Sequence, residues 1–313
     1  MLVFAVKHKD EFTRANSRSG GIFTAISDQF LNGGVVYGCI MGTQYKAVHI
    51  RATTKEQRDL MRGSKYIQSD IGDSFKNIKT DLENGYNVLF SGVPCQVAGL
   101  RNYLRKDYDN LVCIDILCHG VPSPKVWKTF VEWNEKKNDA LAKIVNFRDK
   151  SEVGWRDHVE SLTFEDGKKI SSSVYTNIFY GHNSLRKSCY HCPFKNLNRV
   201  GDISIADYWG IENNVPEFDD NKGVSLVLIN TDKGMKYFEN AKSVVDWKAT
   251  SIETSMQNAL RISYPEPETR DQFWKDFESK DFTYIAKKYG GLTPLWRKAA
   301  RKAKRIVKKV LGK

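Results

Sequence analysis

The sequence predicts an α/β fold: a mixed, largely parallel sheet with flanking helices, followed by C-terminal helices. Three observations carry this reading. Short, continuously apolar runs such as Asn87–Ser91 and Leu111–Leu117 have the composition of strands buried on both faces. Helical patterns alternate with these strands, as in βαβ units. Two strands end in sharp loops, Phe90-Ser-Gly-Val-Pro-Cys95-Gln and Asp115-Ile-Leu-Cys118-His-Gly-Val-Pro-Ser-Pro124, of the kind that gather at one edge of a parallel sheet.

Taken in order, residues 17–31 form a Ser/Gly-rich turn entering a helix whose apolar positions Ile22, Phe23, Ile26 and Phe30 keep helical spacing until Gly33-Gly34. Such an entry is either a plain cap or a place where backbone N–H groups receive phosphate. Val35–Met41 and Ala47–Ala52 read as paired strands, with Cys39 as a core residue. Helices are expected over 54–62 and 70–83, the second stopping at Gly85. The helix Gln96–Leu104 begins beside Cys95, a position that lowers a thiol pKa. Cys113 belongs to the core of the strand Leu111–Leu117. Beyond Pro124 come an amphipathic helix to Lys137, a strand Ile144–Lys150, and a hairpin over 161–171 turning at Asp166-Gly167. A strand Val224–Asn230 leads into a helix at 232–241, and 250–290 reads as helices broken by Pro265 and Pro267. The expected division is 1–249, a helical extension 250–294, and a tail 295–313.

Composition bounds the function. The 313 residues carry a net charge of +12, but nine Lys/Arg and no acid fall in 295–313, leaving a net of +3 before residue 295. The basic character therefore belongs to a tail and gives no sign of specific nucleic-acid recognition. In that tail Trp296, Ala299, Ala303, Ile306 and Val310 recur at helical spacing opposite the basic residues, the pattern of an interfacial helix on an anionic membrane surface. No apolar run approaches the ~20 residues of a membrane span, and the start lacks a secretory h-region. The expected place is the cytoplasm, peripherally at the inner face of the cell membrane. Thiols stay reduced there, so cysteines are read as ligands or core residues.

Cys189-Tyr-His-Cys192 brings two thiolates within reach of one soft metal centre. Cys95 and Cys118, at the two sharp strand-to-loop junctions, are the expected partners, giving a four-cysteine centre that suits zinc or iron–sulfur alike. His119 and His191 flank these ligands as hydrogen-bonding neighbours. Arg148, Lys150, Trp155 and Arg156 form either an anion or sugar-nucleotide pocket or an ordinary surface loop, and Asp207 packs near the site.

The ordered set Ser17-Arg-Ser-Gly-Gly-Ile-Phe-Thr24, Gly63-Ser-Lys-Tyr-Ile-Gln-Ser69, Phe90 to Leu100, Cys118 to Pro124, Phe147-Arg-Asp-Lys150 with Gly154-Trp155, and Cys189-x-x-Cys192 with Gly201-Asp-Ile-Ser-Ile-Ala-Asp-Tyr-Trp-Gly210 resembles the coenzyme F420-reducing hydrogenase/dehydrogenase beta-subunit family over about residues 16–232. The Cys-His-Gly-Val-Pro-Ser-Pro and Asp-Tyr-Trp-Gly wording is most similar to the branch associated with surface-polysaccharide gene clusters. The resemblance implies a [4Fe-4S] cluster on Cys95, Cys118, Cys189 and Cys192, and FAD against Gly20, Gly21, Thr24, Lys65, Tyr66, Gln96, Asp202 and Ser204. Many relatives carry a ferredoxin-like segment before the Ser-Gly-Gly element. This sequence opens almost at that element, so a separate electron donor such as a ferredoxin is expected. Nothing marks a deazaflavin pocket, and coenzyme F420 itself is not expected.

The implied function is an iron–sulfur flavoprotein oxidoreductase passing electrons between cluster, FAD and an organic substrate, a sugar or lipid-linked sugar of surface or capsular polysaccharide synthesis. The competing class is a non-catalytic scaffold of the same fold, with zinc or no metal, docking polysaccharide enzymes at the membrane.

Overall fold

The computed structural model describes residues 1–292; the basic stretch 295–313, and with it the interfacial-helix expectation, lies outside them. Among the described residues eleven strands are formed: β1 (Leu2–His8), β2 (Val35–Met41), β3 (Ala47–Ala52), β4 (Val88–Gly92), β5 (Leu111–Ile116), β6 (Ala142–Asn146), β7 (Glu160–Phe164), β8 (Lys169–Ser172), β9 (Ile203–Asp207), β10 (Ser225–Ile229) and β11 (Val245–Thr250). Eight of them make one sheet in the order β11-β1-β10-β9-β5-β4-β2-β3, and β6-β7-β8 make a separate antiparallel sheet. Within the large sheet β2, β4, β5 and β9 run parallel, and the outer pairs are antiparallel.

The buried middle of the sheet follows from composition. β4, in the parallel part, and β10, paired antiparallel on both sides, are buried at every position, as continuous apolar runs demand. One face of the sheet packs on Ile22, Ile26, Phe30 and Phe238 from the helices Ile22–Ser27 and Asp232–Ala241 and the turn between. Another face is covered by Ile78, Leu82, Val97, Leu100 and Leu104 of the helices Ser74–Glu83 and Pro94–Leu104. A further core joins the helices Pro124–Asn138, Val174–Tyr180, Arg270–Ser279 and Phe282–Lys288 to the small sheet.

Several expectations move. Residues 251–269 are turns and irregular chain with one short 3₁₀ turn, so helix occupies only 270–279 and 282–288 of the stretch read as helical. The strand expected at 144–150 is β6, two residues earlier, and Phe147 to Lys150 leave the sheet. β1, β9 and β11 are not anticipated by the sequence pattern.

β9 is held by buried polar groups. Asp115 on β5 accepts from Arg199 Nη2 at 2.5 Å and from the Gly201 N–H at 2.9 Å, and both side chains are inaccessible. Asp202 accepts from the Cys113 N–H (2.8 Å), Arg101 Nη2 (3.2 Å) and Thr231 Oγ1 (2.9 Å). Ser204 Oγ accepts from Arg199 Nε at 3.1 Å and from Asn230 Nδ2 at 3.0 Å. Removing one partner of a buried pair strands the other charge. Asp115→Ala should therefore lower unfolding stability by roughly 3–5 kcal/mol, read as a shift in urea midpoint. Arg156→Ala, which breaks a partly exposed pair with Asp219, should cost under about 1 kcal/mol.

Candidate metal centre and basic cleft

The site lies beyond the carboxyl ends of β4 and β5, the usual place in a parallel sheet. After β4, Pro94 fixes the first turn of the helix Pro94–Leu104, and Gln96 Oε1 accepts from the Val93 N–H at 3.1 Å. Cys95 thus sits in the first helical turn. After β5, the Leu117 N–H donates to the Ile205 carbonyl (3.0 Å) and the chain turns through Cys118, His119 and Gly120. Gly120 has φ +152, a conformation that residues with side chains rarely adopt, and a Cβ there would lie 2.8 Å from Leu185 Cδ1, so glycine suits this turn of the loop. Cys189 and Cys192 bracket the end of a 3₁₀ turn, Lys187–His191. The Arg186 N–H donates to the Val121 carbonyl at 2.9 Å, tying this turn to the Cys118 loop. The Cys192 N–H donates to Ser263 Oγ at 3.0 Å. Buried Lys195 donates its ammonium to the carbonyls of Cys118 and His119.

Cys95, Cys118, Cys189 and Cys192 consequently line one small cavity of about 30 Å³, walled otherwise by apolar side chains, Gly120 and Lys195. All six cysteines are free thiols. Among the described residues no three His, Cys, Asp or Glu side chains converge tightly enough for a single ion, so the four thiols frame a space instead of meeting at a point. Burial, and then the neighbouring thiols, push the Cys118 thiol up to about 12. Cys95 is exposed as a residue, yet burial of its sulfur, followed by Cys192 and Cys189, raises its thiol too. The helix N-terminus expected to lower it is outweighed. Cys189 is raised by burial as well. Three thiols held protonated by burial, with Cys192 beside them in the same cavity, are a donor set that a bound cation would deprotonate. Cys113 lies in the sheet core, and Cys39 is raised by burial. Neither lines the cavity.

A second, larger cavity of about 380 Å³ lies between residues 15–18, 62–65 and 144–151. Arg18, Arg62, Lys65, Arg148 and Lys150 line it, with Asp149 as the one acid among its lining residues. Arg18 donates through Nη1 to the Arg148 carbonyl, but its Nε and Nη2 are buried without a protein partner. Burial and the neighbouring Arg148 lower Arg18 to about 10. Lys65 is lowered to about 8 by burial, and Lys150 to about 7 by burial and then Arg18 and Arg14. Crowded cations with orphaned donors are stabilised by an anion that accepts from them.

The residues expected around a flavin are dispersed. Lys65 lines this cleft, although its ammonium also donates to the carbonyls of Leu60, Met61 and Arg62 at 2.9–3.1 Å. Tyr66 packs on Phe179 and His158 at 5.1 Å. Gly20 is pressed against the sheet: a Cβ would overlap the Val6 carbonyl and lie 2.6 Å from the Ser225 nitrogen. Gly21 caps the next helix in a left-handed conformation, and Thr24 Oγ1 accepts from Arg62 Nε at 3.1 Å. Gln96 is spent on its own cap and on Ser69, while Asp202 and Ser204 are satisfied in the β5–β9 junction. Ser17 and Arg18, just before the Ser-Gly-Gly element, face the cleft instead. Of the other candidates, Arg148 and Lys150 line the cleft. Trp155 and Arg148 are both held by Asp207, at 2.8 and 2.5 Å, and Arg156 pairs with Asp219. His191 is exposed, and His119 contacts His182 at 2.8 Å. Arg18, Arg62 and Ser263 escape the sequence reading, and nothing in their local pattern marks them.

Two models of one family, the coenzyme F420 hydrogenase/dehydrogenase beta subunit, match the chain: that of its N-terminal part over residues 3–76 and that of its C-terminal part over 85–255. The chain belongs to this family. Family membership makes it an oxidoreductase subunit. Among solved structures, a chain of the xenon-derivatised F420-reducing [NiFe] hydrogenase complex from Methanosarcina barkeri is similar, with 18% identity and a TM-score of 0.55, covering 82% of this chain and 84% of that one. At that identity the likeness concerns the fold. Comparison with curated protein sequences finds no match. No helix among the described residues is long and apolar enough to cross a membrane.

The lysines of the cleft give a pH test. Their lowered values mean that protons are lost as pH rises through about 7 and 8, and only the charged forms attract an anion. Affinity for sulfate, whose charge is fixed, should fall between pH 6 and pH 9 by about tenfold or more, measured calorimetrically.

Proposed function

We propose that this chain is an iron–sulfur flavoprotein oxidoreductase, with a [4Fe-4S] cluster on Cys95, Cys118, Cys189 and Cys192 and the phosphates of FAD in the basic cleft. The observation that carries the reading is that four cysteines from three separate stretches line one cavity. Family membership favours iron–sulfur over zinc, since thiolate sets alone suit both. Crowded cations and the orphaned nitrogens of Arg18 support an anionic cofactor group in the cleft. When bound, the cluster supplies single electrons and the flavin pairs them for two-electron chemistry.

The chain's own residues supply the setting. Lys195 and Arg186 act electrostatically on the thiols and oppose the charge of a thiolate-ligated centre. Phe194, Val93 and Val121 wall the cavity against water, which bears on the potential of such a centre. A sugar or lipid-linked sugar substrate in surface-polysaccharide synthesis rests on the sequence resemblance in 118–124 and 207–210, and an external donor such as a ferredoxin rests on the comparison with relatives that carry a ferredoxin-like segment.

Anaerobic purification of the full chain with iron, sulfide, zinc and flavin analysis tests this directly. Iron and sulfide together with FAD support it, whereas zinc, or neither metal nor flavin, hands the chain to the scaffold reading. Cys→Ser at Cys95, Cys118, Cys189 or Cys192 should each sharply reduce bound iron, while Cys39→Ser and Cys113→Ser should leave it in place. Arg18→Met should weaken FAD binding by about tenfold or more, the loss of a charge-assisted hydrogen bond. The same change should leave iron content untouched and the unloaded protein no less stable, because it removes a buried charge with unsatisfied donors.

A further inference from the structure

Two rings stand between the cavities and line neither of them. His158 Nε2 lies 2.9 Å from the Phe147 carbonyl oxygen, and its Nδ1 lies 3.0 Å from Tyr180 Oη. A carbonyl oxygen only accepts, so the proton of the neutral ring sits on Nε2. Nδ1 is then an acceptor, and the Tyr180 hydroxyl donates to it. The phenol oxygen keeps its lone pairs for a third group, with a base directly behind it.

The position of the pair is as telling as its bonding. Phe147 and Arg148 line the basic cleft, and Tyr66, next to the cleft residue Lys65, packs on His158. On the other side the Tyr180 ring meets His119 edge-on at 5.2 Å, one residue from Cys118. Tyr180 is 47% exposed as a residue, so its ring borders solvent, while burial first and then Tyr66 raise its phenol to about 12 and keep it protonated. Arg148, Arg18 and Asp207 act on His158 electrostatically, and His158 in turn acts on His119.

We propose that Tyr180 and His158 form a proton-accepting pair for a hydroxyl-bearing substrate bound beside the filled cleft. The proposal rests on the preceding reading for its electron acceptor. The O–H bond of a substrate carbinol breaks, its proton passes to Tyr180 Oη, and the Tyr180 proton passes to His158 Nδ1. The imidazolium formed keeps its Nε2–H on the Phe147 carbonyl. The hydride of the same oxidation, carrying both electrons, leaves for the flavin, and the carbinol becomes a carbonyl. Run in reverse, the pair returns the proton to a carbonyl oxygen. Burial first, and then Arg148 and Arg18, hold His158 down at about 4 in the protein alone, against the raising effects of its Phe147 hydrogen bond and then of Asp207. An anion in the cleft offsets the two arginines, so filling the cleft makes His158 a stronger base. Proton acceptance is thereby coupled to occupancy.

The test has two arms on the full chain. In nitrogen-15 imidazole NMR of the unloaded protein, His158 should be the Nε2–H tautomer at neutral pH, its midpoint should rise on adding sulfate, and Tyr180→Phe should move its Nδ1 signal. An Nδ1–H tautomer, or a midpoint indifferent to sulfate, overturns the proposal. With flavin-loaded, reduced protein, Tyr180→Phe should slow reduction of a quinone, which takes up protons with its electrons, by about a hundredfold. Reduction of ferricyanide, which takes electrons alone, should be unchanged. Equal losses with both acceptors overturn the pair, because the defect then lies in electron supply. Failure of the chain to bind flavin falls on the preceding reading, and the NMR arm still decides the pair.

Discussion

The architecture of the thiol site depends on one buried ion pair. Asp115 closes β5 just before the loop of Cys118, and Arg199 follows the loop of Cys189 and Cys192 just before β9. Their contact, both side chains fully buried, fixes the start of β9 against the end of β5. Two loops are thereby delivered to the same place, where the Pro122–Leu185 bridge joins them. A buried charge pair is a poor source of net stability but a strong penalty against misregistration, since a one-residue slip leaves both charges unpaired. Asp202 and Ser204 extend the same lock to Cys113, Arg101, Thr231 and Asn230. The Gly-Asp-Ile-Ser-Ile-Ala-Asp stretch is explained by this junction without any ligand.

Both cavities place unfavourable groups where an occupant would relieve them. In one, burial keeps thiols from ionising; in the other, burial, joined at Lys150 by Arg18 and Arg14, lowers two lysines, and Arg18 keeps unpaired donors. Such arrangements cost stability and persist where function needs them. They differ in sign, and that difference sorts the ligands: the thiol cavity calls for a cation, the cleft for an anion. The β6–β7 connection lines the cleft, and Asp207 at the end of β9 ties it to the large sheet by holding Arg148.

How much is legible follows from which physics wrote each element. β2, β3, β4, β5 and β10 are apolar runs or alternations, and their bounds fall within about a residue or two of the pattern. β9 does not read as a strand because polar residues are buried in and beside it, Ser204 at 0% exposure within it and Asp202 at 3% just before it, and their partners include Asn230, Cys113, Arg101 and Thr231, far along the chain. The helices expected across 250–269 give way to irregular chain bound by side chains. The four cysteines are identifiable because thiol chemistry needs that residue type at loop junctions. The cleft is only half legible: Lys65, Arg148 and Lys150 stand out in the sequence, but Gly20 owes its size to contact with β1 and β10, and it is Ser17 and Arg18, just before it, that line the cleft.

The least legible contribution comes from the irregular chain after residue 255, beyond the span that the family models match. Ala259 lines the thiol cavity, Ser263 receives the Cys192 N–H, and Tyr264 packs at 4.2 Å against both His119 and His182. Arg270 then donates to Tyr190 Oη at 3.1 Å and to the Leu185 carbonyl at 3.3 Å, bracing the turn that carries Cys189. None of these residues has metal-binding chemistry, so no motif announces them. Their role is to hold backbone, and a backbone-holding side chain is interchangeable in type as long as its partner's position is met. The Cys-x-x-Cys pair itself is short and aperiodic, and Tyr190, packed with Phe179 and Leu185, is its one buried anchor. Its geometry is imported, from the Asp115–Arg199 lock on one side and from residues 259–270 on the other.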